Sequence, residues 1–316
     1  MNSKKPKILV VGDCILDQYY WTNVSRISPE APVPICHIQS TSYRLGGAGN
    51  VANNLVNFHS DVSIAGIIGN DSNGEIILNE FNNSGINSEF IIKSNHYPTI
   101  SKARVLAKNQ QLCRLDNEDS EVDIHSEVNE CLNLISEKID TFDCIIISDY
   151  LKGMITESVS KELIENANKK NIPIIVDPKG RDAKKYNGAL FFTPNMGEFS
   201  TFTNLENIDD ENEIILKGRQ LISDNNISNL ILTRSEKGIT IISESEHQNF
   251  PTKAKEVADV TGAGDTVVAA IAYGISQKWT NEEIINFANH AAGVVVSKVG
   301  TATATLDEIK EYEANL

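Results

Sequence analysis

Long hydrophobic runs are missing from this sequence of 316 residues. No run approaches the roughly 18 apolar residues that a membrane helix needs. The apolar run at residues 8–11 is also shorter than the core of a signal peptide, and it ends in Gly12 and Asp13. We interpret it as a first buried strand and predict a cytoplasmic protein.

The sequence has fewer positive than negative charges, with 28 Lys and Arg residues against 43 Asp and Glu residues and a formal net charge of −15. Nucleic acids and anionic membranes bind surfaces with a surplus of Lys and Arg, so this balance argues against both as partners. It does not exclude a phosphorylated small molecule, because a few cations in one cleft can hold a phosphate.

Two common motifs are also absent. The five cysteines are scattered and none forms a C-x-x-C pair, which indicates reduced thiols. Gly69 and Gly74 have the spacing of the P-loop pattern G-x-x-x-x-G-K-S/T, but Glu75 stands where Lys is required. The chain is therefore not a P-loop enzyme.

Short apolar runs alternate with helical patterns over most of the chain. The predicted strands are residues 8–11, 62–68, 144–147, 172–176, 190–193, 230–233 and 239–242. Helical patterns lie near residues 50–59, 73–83, 126–138, 157–170 and 212–223, and two more between 263 and 298 divide near Trp279. Several strands are apolar throughout, as parallel strands covered on both faces are. The pattern predicts an α/β fold, a doubly wound sandwich, in a single domain over residues 1–316.

Two segments break this alternation. Residues 14–45 contain Pro29, Pro32 and Pro34 and show no helical period, and residues 97–117 alternate like strands. We expect both to form a small β-sheet that stands off the main sheet, as a lid over a site at the strand ends.

The strongest motif is Asp-Val-Thr-Gly-Ala-Gly-Asp at residues 259–265, followed by a small-residue helix. Gly262 and Gly264 let the backbone turn tightly and approach a ligand. The amides of Ala263, Gly264 and Asp265 would face outward at a helix N-terminus, which suits a phosphate anion. Asp265 could then accept the proton of a hydroxyl that attacks a γ-phosphate, which predicts phosphoryl transfer. The alternative is a loop with an Asp helix cap.

A second glycine-rich segment, Gly-Gly-Ala-Gly-Asn-Val-Ala-Asn-Asn, covers residues 46–54. Gly47, Gly49 and Ala52 fit a dinucleotide fingerprint, so an NAD-dependent oxidoreductase is an alternative. Residues 42–45 are not a buried strand, however, which favours a backbone platform for a sugar. Asn50 and Asp17 would then bind hydroxyls, because an amide and a carboxylate donate and accept side by side.

With both glycine-rich segments in place, the chain resembles the ribokinase-like (PfkB) carbohydrate kinases, whose marks are this platform and the DVTGAGDT signature. It is similar to the heptose-7-phosphate kinases of bacteria within that family. The similar segments are SRISPEAPVP (25–34), RVLAKNQQLCRLD (104–116), SDYLKG (148–153), DPKG (177–180), TPNMGEF (193–199), TRSEKG (233–238) and AAGVVVSKVGT (291–301). No H-x-G-H pattern occurs, so the resemblance is to the stand-alone kinase and not to its fusion with an adenylyltransferase.

The resemblance implies a three-layer α/β/α sandwich with a small β-sheet lid, and the use of ATP and Mg²⁺. It makes Asp265 the catalytic base and the turn at residues 262–265 (Gly262, Ala263, Gly264 and Asp265) the anion hole. The nucleotide-binding residues that it implies are Asn195, Met196, Gly197, Glu198, Thr233, Arg234, Gly238, Thr261, Asn289 and Gly293. Asn195 and Glu198 are expected to act on Mg²⁺ through water, although Asn195 also suits a helix cap and Asn289 a polar helix position.

On the sugar side the resemblance implies five residues, Asp17, Gly46, Gly47, Asn50 and Asp149. The candidates for the substrate's own phosphate are Arg26, Lys102, Arg104 and Lys179, because a phosphate dianion calls for cations. Asp17 also suits a turn, and any one of the cations can be a solvated surface charge. A homodimer through the lid edges is implied as well. Activation by K⁺ could involve backbone near Asp259 and residues 297–300.

The implied reaction transfers the γ-phosphate of ATP to the anomeric hydroxyl of D-glycero-β-D-manno-heptose 7-phosphate, a sugar phosphate. Its product, the 1,7-bisphosphate, belongs to the synthesis of ADP-heptose and the lipopolysaccharide core. One alternative is a kinase of the same fold for another sugar, sugar phosphate or nucleoside. Another is a non-catalytic sensor of sugars or nucleotides.

Overall fold

The computed structural model describes residues 5–108, 110–119, 121–252, 257–298, 300 and 302–315. Three residues of the segments singled out above, Asn109, Val299 and Thr301, lie outside the described residues.

The strands and helices follow the predicted alternation. The strands are β1 (Lys7–Gly12), β2 (Cys14–Ile27), β3 (Pro34–Gly47), β4 (Asp61–Gly69), β5 (Asn87–Ser94), β6 (Ser101–Ala107), β7 (Gln110–Asn117), β8 (Cys144–Ser148), β9 (Ile174–Asp177), β10 (Phe191–Phe192), β11 (Asn229–Thr233), β12 (Ile239–Ile242) and β13 (His247–Phe250). The helices are α1 (Ala48–Asn57), α2 (Ser72–Ser84), α3 (His125–Lys138), α4 (Glu157–Lys169), α5 (Met196–Thr203), α6 (Glu211–Asp224), α7 (Ala263–Ser276), α8 (Asn281–Val296) and α9 (Leu306–Ala314).

The main sheet has the order β13-β12-β11-β10-β9-β8-β1-β4-β5 within the described residues. Its strands from β11 to β5 pair in parallel, as their apolar sequences predict. The edge strands β12 and β13 are antiparallel, because the turn after β11 is too short to hold the crossover helix that a parallel pair needs. The predicted doubly wound α/β sandwich is confirmed.

Helices cover both faces of this sheet. Leu9 and Val11 of β1 point into one apolar core, with α3 to α6, whereas Ile8 and Val10 point into the other, with α1, α2 and α7 to α9. All four side chains are fully buried. None of the helices in the described ranges is long and apolar enough to cross a membrane.

The two segments predicted as a lid form a separate sheet in the order β3-β2-β6-β7. β2 pairs with β3 from Cys14 opposite Gly47 out to Ile27 opposite Pro34, and it pairs with β6 in parallel. Because β2 starts at Cys14, directly after Asp13, the lid rises from the carboxyl end of β1.

Candidate active site

The candidate site lies at the carboxyl edge of the main sheet. Gly12 of β1 is paired with Ser148 of β8, and Ser148 with Asp177 of β9, so these strands end side by side. The residues that follow each strand therefore share one edge, which is where ligands bind in open α/β sheets.

Asp265 lies in the first turn of α7. Gly262 caps this helix with a φ of 81°, a left-handed conformation that glycine adopts without strain. The Oδ1 atom of Asp265 accepts the Tyr150 hydroxyl at 2.5 Å, and its Oδ2 atom accepts Nδ2 of Asn50 at 2.6 Å. Burial raises the pKa of Asp265 to about 6, although these two hydrogen bonds lower it. The carboxylate is therefore ionised at neutral pH and basic enough to take a proton.

The turn before α7 differs in one detail from the sequence-based expectation. The N–H of Ala263 donates to the carbonyl of Val260 at 3.2 Å and closes the turn, so it does not face a ligand. Gly264 keeps the open position, because a Cβ atom there would meet nothing within 4 Å. The donors left at the helix N-terminus are the amides of Gly264 and Asp265.

Asp259 anchors this turn from behind. Its carboxylate accepts the N–H and the hydroxyl of Thr261 and the N–H of Gly300. Burial alone would raise the pKa of Asp259, but these hydrogen bonds lower it. Thr261, predicted to contact the nucleotide, therefore supports the turn instead. Asp259 and Gly300 both belong to the region predicted to bind a monovalent cation, and this hydrogen bond connects them.

A polar cavity of about 160 Å³ opens beside Asp265. Its lining includes Tyr150, Asp177, Lys179, Asn195 and Glu198. Lys179 and Glu198 form an ion pair there. Burial and the nearby Asp265 carboxylate raise the pKa of Asp177 well above its usual range. In the described residues no three His, Cys, Asp or Glu side chains form a metal cluster.

Asn195 and Glu198 begin α5. Oδ1 of Asn195 accepts the N–H of Glu198, and Oε2 of Glu198 accepts the N–H of Asn195, both at 2.9 Å. This reciprocal pair is a capping box, so the helix-cap interpretation of Asn195 is compatible with its place in the cavity. Met196 packs against the core and Gly197 is exposed. Of this predicted segment, only Asn195 and Glu198 line the cavity.

An apolar pocket of about 410 Å³ adjoins the polar cavity through Asn195 and Gly264. Five residues predicted to bind the nucleotide line it: Asn195, Thr233, Gly238, Asn289 and Gly293. Val257 and Val260 add exposed apolar surface at its rim. The Asn289 amide donates to the Phe250 carbonyl at 3.1 Å, which fixes its orientation. A pocket of this size whose surface is mostly apolar suits a flat ring such as adenine.

The predicted sugar side lies where the lid meets α1. Asp17 is buried and its Oδ1 atom is 2.6 Å from Nη1 of Arg104. A Cβ atom at Gly46 would lie 2.8 Å from Oδ2 of Asp17, so glycine is needed for this approach. Gly47 has a φ of 56° and starts α1, which carries Asn50. The structure thus brings Asp17, Gly46, Gly47 and Asn50 together, with Lys102 opposite Asp17 on β6.

Three further predicted site residues are not brought to the cleft. Arg26 is exposed near the outer end of β2, nine residues from Asp17, and at about 3.3 Å per residue it lies about 30 Å away along the strand. Arg234 is ion-paired with Glu211 and donates to Thr240, which turns its side chain away from the pocket.

Asp149 is the third of these residues. It is fully buried, ion-paired with Lys185, and accepts the Tyr186 hydroxyl at 2.5 Å and the Leu151 N–H at 2.7 Å. Its oxygen atoms are therefore used to hold the loop after β8. Lys179, predicted for the substrate phosphate, lies instead in the polar cavity with Asp265.

Five residues that line the cavity were not predicted from the sequence: Thr193, Val267, Val268, Tyr150 and Asp177. Tyr150 and Asp177 are the two of these with ionisable side chains. Each follows or ends a buried strand, Tyr150 after β8 and Asp177 at the end of β9. That position was the available signal, because ligands in this class of fold bind outside the carboxyl ends of the strands.

Comparison with known proteins is consistent with this geometry. The model of the pfkB family of carbohydrate kinases matches residues 5–308. The bifunctional protein HldE of Sulfurimonas denitrificans is 43% identical over 318 residues, which cover 100% of this chain and 66% of that protein. The chain therefore spans less than two thirds of the length of that relative.

Solved structures share the fold at lower identity. Arabidopsis thaliana ribokinase complexed with ribose and ATP has a TM-score of 0.77 at 18% identity, over 98% of this chain and 99% of that one. Escherichia coli phosphofructokinase-2 in complex with potassium has a TM-score of 0.81 at 17% identity, over 98% of both chains.

Proposed function

Because the chain belongs to the pfkB family of carbohydrate kinases and is a phosphotransferase with an alcohol acceptor, we propose one specific reaction for it. It transfers the γ-phosphate of ATP to the anomeric hydroxyl of D-glycero-β-D-manno-heptose 7-phosphate. The observation that carries the proposal is the position of Asp265. Its carboxylate bonds Asn50 on the sugar side and lines the cavity on the phosphate side.

In this proposal ATP lies with its adenine in the apolar pocket and its phosphates along the polar cavity. The fold can hold both ligands, since the similar Arabidopsis ribokinase was solved with ribose and ATP. The amides of Gly264 and Asp265 and the ammonium of Lys179 meet the γ-phosphate. They stabilise the charge on the transferring group.

The chemical step follows from the same residues. The anomeric hydroxyl donates its proton to Asp265 while its oxygen forms a bond to the γ-phosphorus, and the bond to the bridging oxygen of ADP breaks. Asp17 and Asn50 orient the sugar, and the lid excludes water that would otherwise take the phosphate.

The residues of the polar cavity fit Mg²⁺. Asn195 and Glu198 supply oxygen atoms, and the carboxylates of Asp177 and Asp265 add negative charge that Lys179 balances only in part. Mg²⁺ prefers such oxygen ligands and keeps several waters and substrate phosphates around it. When bound, it would offset the charge of the phosphates. K⁺ is a further candidate, since the similar phosphofructokinase-2 was solved with potassium.

The heptose 7-phosphate is favoured by the seven similar segments and by the cations of the lid. Lys102 and Arg104 lie on β6 beside Asp17, so a sugar held by Asp17 would present its distal phosphate to them. Arg104 can hold two phosphate oxygens at once.

We also propose that two copies associate through the lid. β3 and β7 are the edges of its sheet within the described residues, and Ile27, Val33 and Ile38 are more than half exposed. Such an edge pairs readily with a second copy. Light scattering should give twice the chain mass, and Ile38→Lys should reduce it to the monomer. A monomeric wild-type protein would contradict the proposal.

The test of function is ADP release by the purified protein with Mg-ATP. The acceptors are D-glycero-D-manno-heptose 7-phosphate, fructose 6-phosphate, ribose and adenosine. We expect strong preference for the heptose phosphate, and a loss of about 10²–10⁴-fold in kcat for Asp265→Asn with nucleotide binding retained. The matched control is Asp307→Asn, because the Asp307 side chain is 96% exposed. Preference for another acceptor would refute the proposed substrate, and near-normal turnover of Asp265→Asn would refute the proposed base.

A further inference from the structure

Tyr150 is a hydrogen-bond partner of Asp265 that the proposed reaction leaves without a role. Its hydroxyl donates to Oδ1 of Asp265 at 2.5 Å, on the side of the carboxylate away from the Asn50 contact to Oδ2. Burial, followed by the nearby Asp265 carboxylate, raises the pKa of Tyr150 well above its usual range. The hydroxyl is therefore protonated at neutral pH and acts as a donor.

The loop that carries Tyr150 is held firmly. The buried carboxylate of Asp13, at the end of β1, accepts the N–H groups of Tyr150 at 2.8 Å, Lys152 at 3.2 Å and Met154 at 3.1 Å. The Tyr97 hydroxyl donates to the Lys152 carbonyl at 2.9 Å. A side chain on such a loop has little freedom, so the phenol stays aimed at Asp265.

We propose that Tyr150 is a positioning residue for the base, whose hydroxyl fixes the orientation of the Asp265 carboxylate and keeps it ionised until the acceptor hydroxyl arrives. This inference rests on the proposed function. A carboxylate oxygen has two lone pairs, so Oδ1 can accept the Tyr150 hydroxyl and still take the substrate proton. With both oxygens oriented by fixed donors, the carboxylate does not have to rotate before proton transfer.

The surroundings of Asp265 explain why such a donor is needed. The charge of Asp17 in the lid disfavours an ionised Asp265. Asp265 and Glu198 of α5 in turn raise the pKa of Asp177 at the end of β9, so carboxyl groups crowd this side of the cleft. Lys179 faces Asp177 and Asp265 and is ion-paired with Glu198, whereas Arg104 is ion-paired with Asp17. The remaining support for an ionised Asp265 comes from Tyr150 and Asn50.

The test compares Tyr150→Phe with the wild type in the dependence of kcat/KM on pH. Losing a hydrogen bond to the charged carboxylate should raise the pKa of Asp265 by about one to two units. The pH at which kcat/KM falls on the acid side should therefore move up by that amount from about pH 6. We expect kcat/KM to fall about two- to tenfold at pH 7 and to recover near pH 9. The control is Tyr273→Phe, because Tyr273 packs against Phe58 and Trp279 in the core. An unchanged acid limb, or an equal loss at every pH, would overturn the inference.

A second readout does not depend on turnover. The carboxyl C=O stretch of Asp265 can be followed by infrared titration, with Asp265→Asn as the subtraction reference. In Tyr150→Phe the protonated band should persist to a pH about one to two units higher than in the wild type. If the variant does not fold, a wild-type Asp265 that is still protonated at pH 8 overturns the inference. A wild type without turnover on any acceptor refutes the proposed function, and the infrared titration still decides the role of Tyr150.

Discussion

Replacing Asp265 by Asn should make the unliganded protein more stable at pH 8 while it removes turnover. Burial raises the pKa of this carboxyl from 3.8 to about 6, although the hydrogen bonds from Tyr150 and Asn50 lower it. The folded protein therefore holds the proton more tightly than the unfolded chain. Stability is highest below the unfolded pKa and falls as the pH rises from 3.8 to about 6, so the full penalty applies at pH 8.

The size of the effect follows from this shift. About two pH units correspond to about 3 kcal/mol of unfolding free energy at about 1.4 kcal/mol per unit. The new amide oxygen can still accept the Tyr150 hydroxyl, but the new NH₂ group faces the NH₂ group of Asn50. Losing that hydrogen bond destabilises by about 1 kcal/mol. The net expectation is a gain of about 2 kcal/mol, or about 3 °C in Tm for a chain of this length.

The assay is thermal unfolding of the wild type, Asp265→Asn and the exposed control Asp307→Asn at pH 8 and pH 4.5. At pH 4.5 the folded wild type is mostly protonated at Asp265, so the gain should shrink to about zero. Asp307→Asn should change Tm little at either pH. A variant less stable than the wild type at pH 8, or equally stabilised at both pH values, would refute the reasoning from buried charge.

Three further predictions concern other parts of the cleft. Gly47→Ala should destabilise by about 2 kcal/mol or more and lower kcat/KM, because φ is 56° and the new Cβ would lie 2.5 Å from a backbone oxygen. Gly85→Ala, with a φ of 74° but open space, should cost about 1 kcal/mol in chemical unfolding and leave activity unchanged; equal effects would contradict the steric argument. Glu198→Gln should raise the Mg²⁺ concentration for half-maximal ADP release about tenfold, and an unchanged Mg²⁺ titration would argue against its role. Arg104→Ala should raise KM for the sugar phosphate more than tenfold and KM for ATP little, whereas the exposed Arg114→Ala should match the wild type; equal kinetics of the two variants would remove Arg104 from the site.

Much of the fold could be predicted because its signals are local. The apolar run at residues 8–11 became β1, and the small-residue pattern after Gly262 became α7. The lid was predicted from the break in alternation. The helices α5 and α9, the strands β5 and β13 and the antiparallel edge were not predicted. The start of α5 was interpreted as a nucleotide-binding motif and not as a helix. The direction of β12 depends on the length of the connection from β11 and not on the sequence of the strand itself.

The site was predicted in part. Asp265, Asn50 and Asp17 follow from residue type and spacing, and the structure brings them together. Arg234 and Asp149 had suitable residue types and positions. In the structure, however, the Arg234 guanidinium is ion-paired with Glu211 and the Asp149 carboxylate with Lys185. A sequence pattern locates a residue on an element, yet the direction of its side chain depends on partners far along the chain.

The sequence by itself determined the alternation of strands and helices, the glycine turns and the position of the carboxylate predicted to act as a base, because these depend on neighbours within a few positions. The tertiary structure decided which side chains meet that carboxylate. Tyr150 lies 115 residues from Asp265 along the chain and Asn50 lies 215 residues away. Their hydroxyl and amide groups reach the carboxylate only because parallel strands end at one edge of the sheet. Burial there lowers the local dielectric constant and so strengthens each hydrogen bond.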